Sequence, residues 1–295
     1  MNIFLTGSTG LIGREVLKKF SKSNFIYAII KSKKKKLFKN KNIKYIVQNL
    51  EKKFDFNEKI DAVIHLAAKV QRKSKINSNQ NYIITKNILE ATAPACKKFI
   101  FASSQMVYGN INEINIREDK KINENKLDDY GFSKIKCEKL LKKYQKKYRG
   151  SYYSLRFSGI IEGAGFITYA INCILQKKKI HIFSNGKVMR NYLSLSDCVK
   201  SIFLTAKMKN IPNYYAINVS SGMNLDNISI ISKLLRLLSI NKKIFLTNRP
   251  APIQNLTMDI SKAKKILKFK PETFDRSLKN YLKNFELYAN KNSKS

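Results

Sequence analysis

The chain has 295 residues, 43% of them hydrophobic and 11% aromatic, which is enough to bury the core of one or two domains and excludes a disordered chain. Lysine and arginine number 58 against 20 aspartate and glutamate residues, so the net charge is +38, which on its own points to nucleic acid or an anionic membrane surface. The lysines, however, accompany abundant asparagine and isoleucine along the whole length, as AT-rich codons would produce. A compositional bias therefore explains the charge, and we do not expect nucleic acid to be the main partner.

Strand-like and helix-like segments alternate through the first half of the chain, which predicts parallel βαβ units. In chain order we predict strand 3–6, helix 11–22, strands 25–30, 43–47 and 61–66, helix 82–92, strand 99–102, helix 130–148 and strand 151–157. Helical patterns then follow at 167–176, 196–207, 228–238 and 274–288. The lysine run 33–36 is interpreted as a solvated loop rather than a nucleic-acid arm.

These elements predict an α/β fold, a doubly wound parallel sheet with a smaller C-terminal lobe. We expect residues 1–157 to form the sheet domain, to which the chain returns at about 185–220. Residues 158–295 are expected to form mainly the lobe, which is interleaved with the sheet domain.

Cysteine and histidine usage disfavours a metal site. The four cysteines lie far apart without CxxC spacing, and only two histidines are present, so neither a structural zinc site nor a disulfide framework is expected.

The chain opens on strand-like residues 1–5, which leaves no room for a signal peptide, and no apolar run approaches the roughly 18 residues of a membrane helix. We therefore expect a reduced, cytoplasmic protein without a metal or a membrane partner.

A glycine-rich loop separates the first predicted strand from the first predicted helix. Residues 6–13 read Thr-Gly-Ser-Thr-Gly-Leu-Ile-Gly, which places glycines in a G-x-x-G-x-x-G pattern. Glycine there lets the backbone turn tightly and approach a pyrophosphate, whose charge meets the amides of the helix N-terminus. No Gly-Lys-Ser or Gly-Lys-Thr follows, which excludes a mononucleotide P-loop. We predict a dinucleotide site in which the cofactor contacts Gly7, Thr9, Gly10, Leu11, Ile12 and Gly13.

This spacing differs from the G-x-G-x-x-G of ordinary Rossmann dehydrogenases. It resembles the T-G-x-x-G-x-x-G of the extended short-chain dehydrogenase/reductases, the nucleotide-sugar epimerase and dehydratase family. The resemblance implies a Rossmann-like domain that binds NAD or NADP, a substrate-binding C-terminal lobe, and a nucleotide-diphosphate sugar as the substrate.

Residues after the second and third strands bear on the choice between NAD and NADP. Lys31 stands where an acidic residue would bind the adenosine ribose of NAD, and a cation there can pair with the 2′-phosphate of NADP. Lys31 thus favours NADP, although the general abundance of lysine keeps NAD open. Asn49 and Leu50 stand where family members often carry an aspartate beside the adenine, and the Asn49 amide oxygen can accept a hydrogen bond from the adenine amine.

Tyr130 and Lys134 place a phenol and an ammonium on one face of a predicted helix. The positive charge and an oxidised nicotinamide would favour the ionised phenol, which could then exchange a proton with a sugar hydroxyl. Tyr-x-x-x-Lys recurs in the chain, but Ser104 lies upstream of this copy at the carboxyl end of a strand, where open α/β sheets bind ligands. Residues 103–109 resemble the family's S-S-x-x-V-Y-G. The resemblance implies Tyr130 as the acid/base, Ser104 bonded to the same sugar oxygen, and Lys134 holding the nicotinamide ribose.

The resemblance continues along most of the chain, through His-Leu-Ala-Ala at 65–68, the helix after Asn81 and the stretch 186–192 around Arg190. His65 is interpreted as structural rather than as a base, and the Arg190 guanidinium as a contact of the substrate's diphosphate. The implied further cofactor contacts are Leu66, Ala67, Ala68, Asn81, Ser103 and Phe157, and the implied further substrate contacts are Gly159, Arg190 and Arg249.

Two positions depart from the dehydratases of the family. Gln105 and Met106 follow Ser104 where those enzymes carry Asp-Glu, and neither can serve as an acid or base, so 4,6-dehydration is disfavoured. Gln105 also replaces the cysteine of the reductases that epimerise. The chemistry that remains takes place at one carbinol, which we assign to C4. Two activities fit it, a 4-epimerase and an NADPH-dependent 4-keto nucleotide-sugar reductase, and we favour the epimerase.

An alternative of another class is a non-catalytic relative that binds NADP or RNA. The family's usual work further implies synthesis of cell-surface polysaccharide precursors and a homodimer formed through the two long helices of the first domain.

Overall fold

The computed structural model describes residues 1–32, 37–69, 78–241, 243–251 and 254–292, with side chains of the last helix described only to residue 283. The lysine run 33–36, predicted to be a solvated loop, lies outside the described residues. The strands are β1 (Asn2–Thr6), β2 (Phe25–Ile30), β3 (Ile43–Val47), β4 (Ala62–His65), β5 (Lys98–Ser104), β6 (Glu113–Ile116), β7 (Ser151–Phe157), β8 (Gly159–Ile160), β9 (Ile180–Ile182), β10 (Met189–Arg190), β11 (Tyr192–Leu193), β12 (Asn213–Val219), β13 (Leu225–Asp226), β14 (Ile244–Leu246) and β15 (Leu256–Met258). The α-helices are α1 (Leu11–Phe20), α2 (Ser78–Thr92), α3 (Asp129–Tyr148), α4 (Phe166–Leu175), α5 (Leu195–Lys207), α6 (Asn227–Leu237), α7 (Ser261–Leu267) and α8 (Phe274–Asn292).

Seven strands form one parallel sheet in the order β3-β2-β1-β4-β5-β7-β12. The order reverses between β1 and β4. At this switch point the loops after the two strands leave in opposite directions and open a crevice, the place where doubly wound sheets bind ligands. The crevice therefore lies at the carboxyl ends of β1 and β4.

Helices pack on both faces of this sheet. On one face, α1, α5 and α7 contribute Phe20, Ile202 and Leu267 to a core shared with β1 and β7. On the other, α2 and α3 contribute Ile88 and Leu141 to a core shared with β4 and β5. Strands covered on both sides must be apolar on both faces, which explains their unbroken hydrophobic runs. The predicted α/β class and doubly wound parallel sheet are confirmed.

The predicted strands and helices of the first half are present, with shifted ends. Helix α1 ends at Phe20 instead of residue 22, because the chain turns there and the Ser23 amide donates to the Phe20 carbonyl (3.2 Å). Strand β12 was not predicted, although it pairs with the whole of β7, from Asn213 beside Ser151 onward. Residues 214–217 read Tyr-Tyr-Ala-Ile, a strand-like run that was overlooked in the sequence.

The chain beyond β7 builds a second, smaller core. Helices α4, α6 and α8 contribute Ile171, Ile231 and Leu278 to it. A four-stranded sheet in the order β13-β10-β15-β6 joins these later strands to β6, which comes from the first half of the chain. No helix within the described residues is long and apolar enough to cross a membrane.

Candidate active site

The glycine-rich loop joins β1 to α1 at the switch point of the sheet. Gly7 has a φ of +69°, in the left-handed region, and a Cβ there would lie 2.7 Å from the Ala67 nitrogen. A Cβ at Gly13 would lie 2.1 Å from the Gly7 carbonyl oxygen, so only glycine lets the helix approach the loop. Gly10 caps α1 without a side-chain hydrogen bond, and the first turn has no acidic residue. The amides of this turn are therefore available to an anion such as a pyrophosphate.

The segment after β4 borders this loop. The Ala67 amide donates to Thr6 Oγ1 (3.1 Å), and the Leu66 carbonyl carbon would lie 2.7 Å from a Cβ on Gly7. Leu66 and Ala67 thus lie against the glycine loop, and Ala68 follows them; their contact with a cofactor stays a prediction. Of the other predicted loop contacts, Leu11 is exposed and Ile12 packs partly against the core.

His65 is held by two threonine hydroxyls. Thr85 Oγ1 donates to the Asn81 carbonyl (2.8 Å), so it accepts the proton of His65 Nε2, 3.0 Å away, while Thr6 Oγ1 lies 2.8 Å from Nδ1. The ring is therefore the neutral Nε2–H tautomer. Burial, together with the charge of Lys134, lowers the pKa of His65 to about 3. This geometry supports a structural histidine and not a base.

The residues that bear on the adenosine end of the cofactor follow β2 and β3. Lys31 is exposed. The Glu51 carboxylate lies nearby, and its pKa is lowered first by the hydrogen bond from Lys69 and to a smaller extent by the charge of Lys31. Asn49 Oδ1 accepts from the Glu51 amide (3.0 Å), so the oxygen predicted to meet the adenine amine already holds a turn and keeps one lone pair. Leu50 packs against the core beneath this turn.

Strand β5 and helix α3 bring Ser104 and Tyr130 to the same end of the sheet. Ser104 ends β5, and its Oγ accepts from the Met106 amide (3.2 Å), capping a short 3₁₀ turn. Helix α3 begins after Asp128, whose carboxylate accepts from the Gly131 amide (2.7 Å). A Cβ at Gly131 would lie 2.3 Å from the Met106 carbonyl oxygen. Glycine therefore lets the first turn of α3, with Tyr130, lie against the turn that follows Ser104.

Lys134 lies one turn along α3 from Tyr130 and is 2% exposed. Its Nζ donates to the Ala102 carbonyl (2.7 Å) and lies 4.5 Å from the centre of the Phe101 ring and 5.6 Å from that of Tyr130. An ammonium has three donors, so the bond to Ala102 leaves donors for a ligand hydroxyl. The three predicted catalytic residues are thus gathered at the carboxyl end of β5.

Ser103 belongs to a buried polar network and not to the crevice. Its Oγ donates to Glu138 Oε1 (2.6 Å), and Glu138 forms a salt bridge with Arg156 (2.7 Å). Arg156 Nη1 donates to the Tyr108 hydroxyl (2.9 Å), which donates to Asn218 Oδ1 (2.6 Å). The network joins β5, α3, β7 and β12 through Ser103, the residue before Ser104. It was not predicted from the sequence.

Asn81, predicted to touch the cofactor, is 3% exposed and bonded to the protein. Its Oδ1 accepts from the Lys69 amide (2.8 Å), and its Nδ2 donates to the Lys69 carbonyl (3.1 Å) and to Ser133 Oγ (3.0 Å). Both amide protons are therefore in use. Asn81 fixes the segment after β4 against α3. Phe157, also predicted, is 6% exposed within the core.

A cavity of about 450 Å³ lies between α4, β9, β10 and the start of α6. Arg190 lines it, and its Nη1 donates to the Met189 (2.8 Å) and Gln254 (2.5 Å) carbonyls. Burial lowers the pKa of Arg190. The aromatic side chains that line the cavity are Phe166, Tyr169, Phe183 and Tyr192. Arg190 and Tyr192 belong to the motif at 186–192, whereas Phe166, Tyr169 and Phe183 lie in no motif and were not predicted from the sequence.

The two other predicted substrate residues lie near this cavity. A Cβ at Gly159 would contact the Tyr192 ring at 3.4 Å. Arg249 is exposed, and its carbonyl accepts from the amide of Ser184, the residue after Phe183 (2.8 Å). Gly159 thus lies against the cavity wall, and Arg249 lies beside it.

No group of three or more histidine, cysteine, aspartate or glutamate side chains in the described part of the chain could hold a metal ion. The four cysteines, Cys96, Cys137, Cys173 and Cys198, are buried, and none of them forms a disulfide.

A doubly wound parallel sheet with a glycine loop shaped for a pyrophosphate at its switch point defines a Rossmann-type dinucleotide-binding protein. The chain belongs to the NAD dependent epimerase/dehydratase family, whose model matches residues 3–220. The family predicted from the motifs is confirmed.

Individual relatives agree with this assignment. The chain is 26% identical to the putative UDP-glucose 4-epimerase of Methanocaldococcus jannaschii, over 92% of this chain and 93% of that protein. It is 30% identical to the dTDP-D-glucose 4,6-dehydratase of Dictyostelium discoideum over 80% of this chain, and spans 62% of that protein's length. The UDP-glucose 4-epimerase of Thermotoga maritima, solved with UDP-glucose, has a TM-score of 0.83 at 22% identity, covering 98% of this chain and 100% of that one. Other neighbours of this fold were solved with NAD.

Proposed function

We propose that the protein is an NAD-dependent nucleotide-sugar 4-epimerase in which Tyr130 exchanges a proton with the C4 hydroxyl of the sugar. The observation that carries this proposal is the placement of Lys134, whose buried ammonium lies 5.6 Å from the centre of the Tyr130 ring at the end of β5. This placement brings a positive charge beside the ring that carries the proposed acid/base hydroxyl.

The glycine loop fits the cofactor, because Gly7 and Gly13 let the loop lie close to residues 66–67 and to the start of α1. This arrangement leaves the first amides of α1 open to a pyrophosphate. NAD, when bound, supplies a hydride acceptor and donor for a sugar carbon. Lys134 would hold the nicotinamide ribose through the donors that Ala102 leaves unused. NAD is proposed over NADP because the family is NAD dependent, and only Lys31 supports NADP.

In the proposed reaction the hydroxyls of Tyr130 and Ser104 both contact the C4 oxygen of the sugar. Tyr130 removes the proton of the C4 hydroxyl as the sugar is oxidised, and returns it when the carbonyl is reduced from the opposite face. Ser104 Oγ accepts from the Met106 amide, which leaves its own proton to donate to the same sugar oxygen.

The alternatives find less support. A 4,6-dehydratase needs an acid and a base after Ser104, and Gln105 and Met106 supply neither. A 4-keto reductase is not favoured, because it needs a cofactor that leaves and returns, and its support is the charge of Lys31 alone. A non-catalytic relative would not need Tyr130 and Lys134 together at the end of β5.

The cavity beside Arg190 suits the nucleotide part of the substrate. Phe183 and Tyr169 offer aromatic faces to a base, and a guanidinium such as that of Arg190 pairs well with a diphosphate. We therefore place the nucleotide in this cavity and the sugar toward Tyr130.

The test is the interconversion of UDP-glucose and UDP-galactose by the wild type and by Tyr130→Phe. Tyr130→Phe should abolish turnover and retain bound NAD, which can be released by heat and identified by mass spectrometry. The matched control is Tyr82→Phe, since Tyr82 and Lys86 have the same spacing on α2, away from β5. Unchanged turnover in Tyr130→Phe would overturn the mechanism.

A further inference from the structure

Gln105 carries an amide that the described residues do not satisfy. Its Oε1 is buried and has no hydrogen-bond partner among them. Buried polar atoms are bonded in the large majority of cases, and an orphaned acceptor costs free energy that nothing in the protein recovers. Such an atom calls for a donor from outside the protein.

Its place in the chain is next to Ser104, in a turn that contacts the start of α3. Gln105 directly follows Ser104 and begins the 3₁₀ turn that Ser104 caps. The next residue, Met106, has its carbonyl oxygen against Gly131, which follows Tyr130 on α3. Gln105 thus lies in the turn between the segments that carry Ser104 and Tyr130.

A second orphaned atom lies at the same edge of the sheet. Ser158 is 5% exposed, follows the last residue of β7, and its Oγ also has no partner within the described part of the chain. Strands β5 and β7 are neighbours, with Ser104 beside Phe157, so Gln105 and Ser158 occupy the next positions of the two strands. Gln105 Oε1 and Ser158 Oγ, both without a partner among the described residues, therefore belong to residues that follow neighbouring strands at the end of the sheet where we place the sugar.

We propose that Gln105 determines substrate specificity, because its Oε1 accepts a hydrogen bond from a sugar hydroxyl on a carbon that flanks C4, at C3 or at C6. This inference rests on the proposed function, which places C4 at Tyr130 and Ser104. A neutral amide oxygen only accepts, so the flanking carbon must carry a proton donor. A deoxy carbon or a carboxylate at that position offers none and leaves the buried oxygen unbonded.

The experiment combines one substitution with substrate analogues. The variant Gln105→Met has a similar length and no polar atom, and Gln176→Met is the matched control, since Gln176 is exposed at the end of α4. We would measure kcat/KM and calorimetric Kd for UDP-glucose, UDP-3-deoxyglucose and UDP-6-deoxyglucose with the wild type and both variants. Thermal unfolding verifies the fold of Gln105→Met, which should not be less stable, because it removes an unbonded buried acceptor.

The kcat/KM of the wild type for one of the two deoxy analogues should be roughly tenfold or more below its kcat/KM for UDP-glucose. The kcat/KM of Gln105→Met for UDP-glucose should be reduced by a similar factor. For that analogue the variant and the wild type should have equal kcat/KM, because variant and analogue remove the same bond. Loss with the 6-deoxy analogue assigns the C6 hydroxyl and predicts weak use of UDP-glucuronic acid, which has a carboxylate there. Loss with the 3-deoxy analogue assigns the C3 hydroxyl.

Equal losses of Gln105→Met with all three substrates, or none, would overturn the inference. A wild type that binds the sugars without turnover would defeat the proposed function, while the same comparison of Kd values would still decide the role of Gln105. A wild type that binds none of them would overturn both.

Discussion

Acidification should destabilise the folded protein through His65. In the folded chain burial, together with the charge of Lys134, lowers the pKa of His65 to about 3, against about 6.5 in the unfolded chain. Protonation of Nδ1 would reverse its bond with Thr6, whose hydroxyl proton would then lose its acceptor, and would place a second cation near Lys134. Between these two pKa values the unfolded chain binds a proton that the folded chain does not. This contribution to stability is therefore complete above about pH 6.5 and is lost as the pH falls.

The loss in free energy of unfolding depends on how far the pH lies below the pKa of His65 in the unfolded chain. Each pH unit below about 6.5 costs about 1.4 kcal/mol until the folded pKa is reached, so a change from pH 7 to pH 5 should remove about 2 kcal/mol. The ring is buried, so solvent does not screen this penalty.

The assay is urea unfolding at pH 7 and at pH 5 of the wild type, His65→Gln and His181→Gln. His65→Gln replaces the imidazole by a group that does not titrate, and its free energy of unfolding should fall about 2 kcal/mol less than that of the wild type. His181 is the other histidine of the chain and is exposed, so His181→Gln should follow the wild type. Buried carboxylates such as Glu162, whose pKa is raised by burial, titrate in all three proteins and cancel in the comparison. Equal losses in the wild type and His65→Gln would refute the reasoning.

Substitutions elsewhere should separate the roles of loop, network and cavity. Gly13→Ala should abolish NAD binding in a calorimetric titration, because its Cβ would lie 2.1 Å from a backbone oxygen. Gly165→Ala is the control and should bind NAD normally, since no atom lies within 4 Å of its Cβ. Similar NAD affinities of the two variants would contradict the loop geometry. Glu138→Gln leaves a buried arginine without its counter-charge and should cost about 3–5 kcal/mol in urea unfolding. Glu124→Gln, in an exposed ion pair, should cost at most about 1 kcal/mol, and equal costs would argue against the network. Phe183→Ala should raise KM for UDP-glucose with little change in kcat, and a fall in kcat alone would exclude the cavity as the nucleotide site.

Local constraints made the cofactor end of the site predictable. Gly7 and Gly10 lie in the turn between β1 and α1, and Gly13 lies in the first turn of α1, so their spacing already contains the geometry of the loop. Tyr130 and Lys134 share a helix face for the same reason. The residues of β12 are strand-like, so the strand could have been predicted, whereas its pairing with the distant β7 could not.

Partners set by the sheet register could not be read from the sequence. Glu138 follows Lys134 at the helical spacing at which Lys134 follows Tyr130, and this was a usable signal for a third polar residue on that face. Its partner Arg156 lies on β7, and the two residues are close only because α3 packs on β7. Asn81 illustrates the converse. Its motif marked it as important, but the motif does not contain the bonds to Lys69 and Ser133 that use its amide protons.

The position of β12 at the edge of the sheet has a consequence for how the protein is made. Strand β7 is buried along its whole length in the finished fold, yet during synthesis it has no neighbour on one side until residues 213–219 have left the ribosome. A strand with one open edge invites pairing with other chains, and the whole stretch from β8 to α5 must be in place before β12 covers that edge. A fragment that stops after β7 should therefore aggregate, and the shortest piece able to fold by itself should extend beyond Val219.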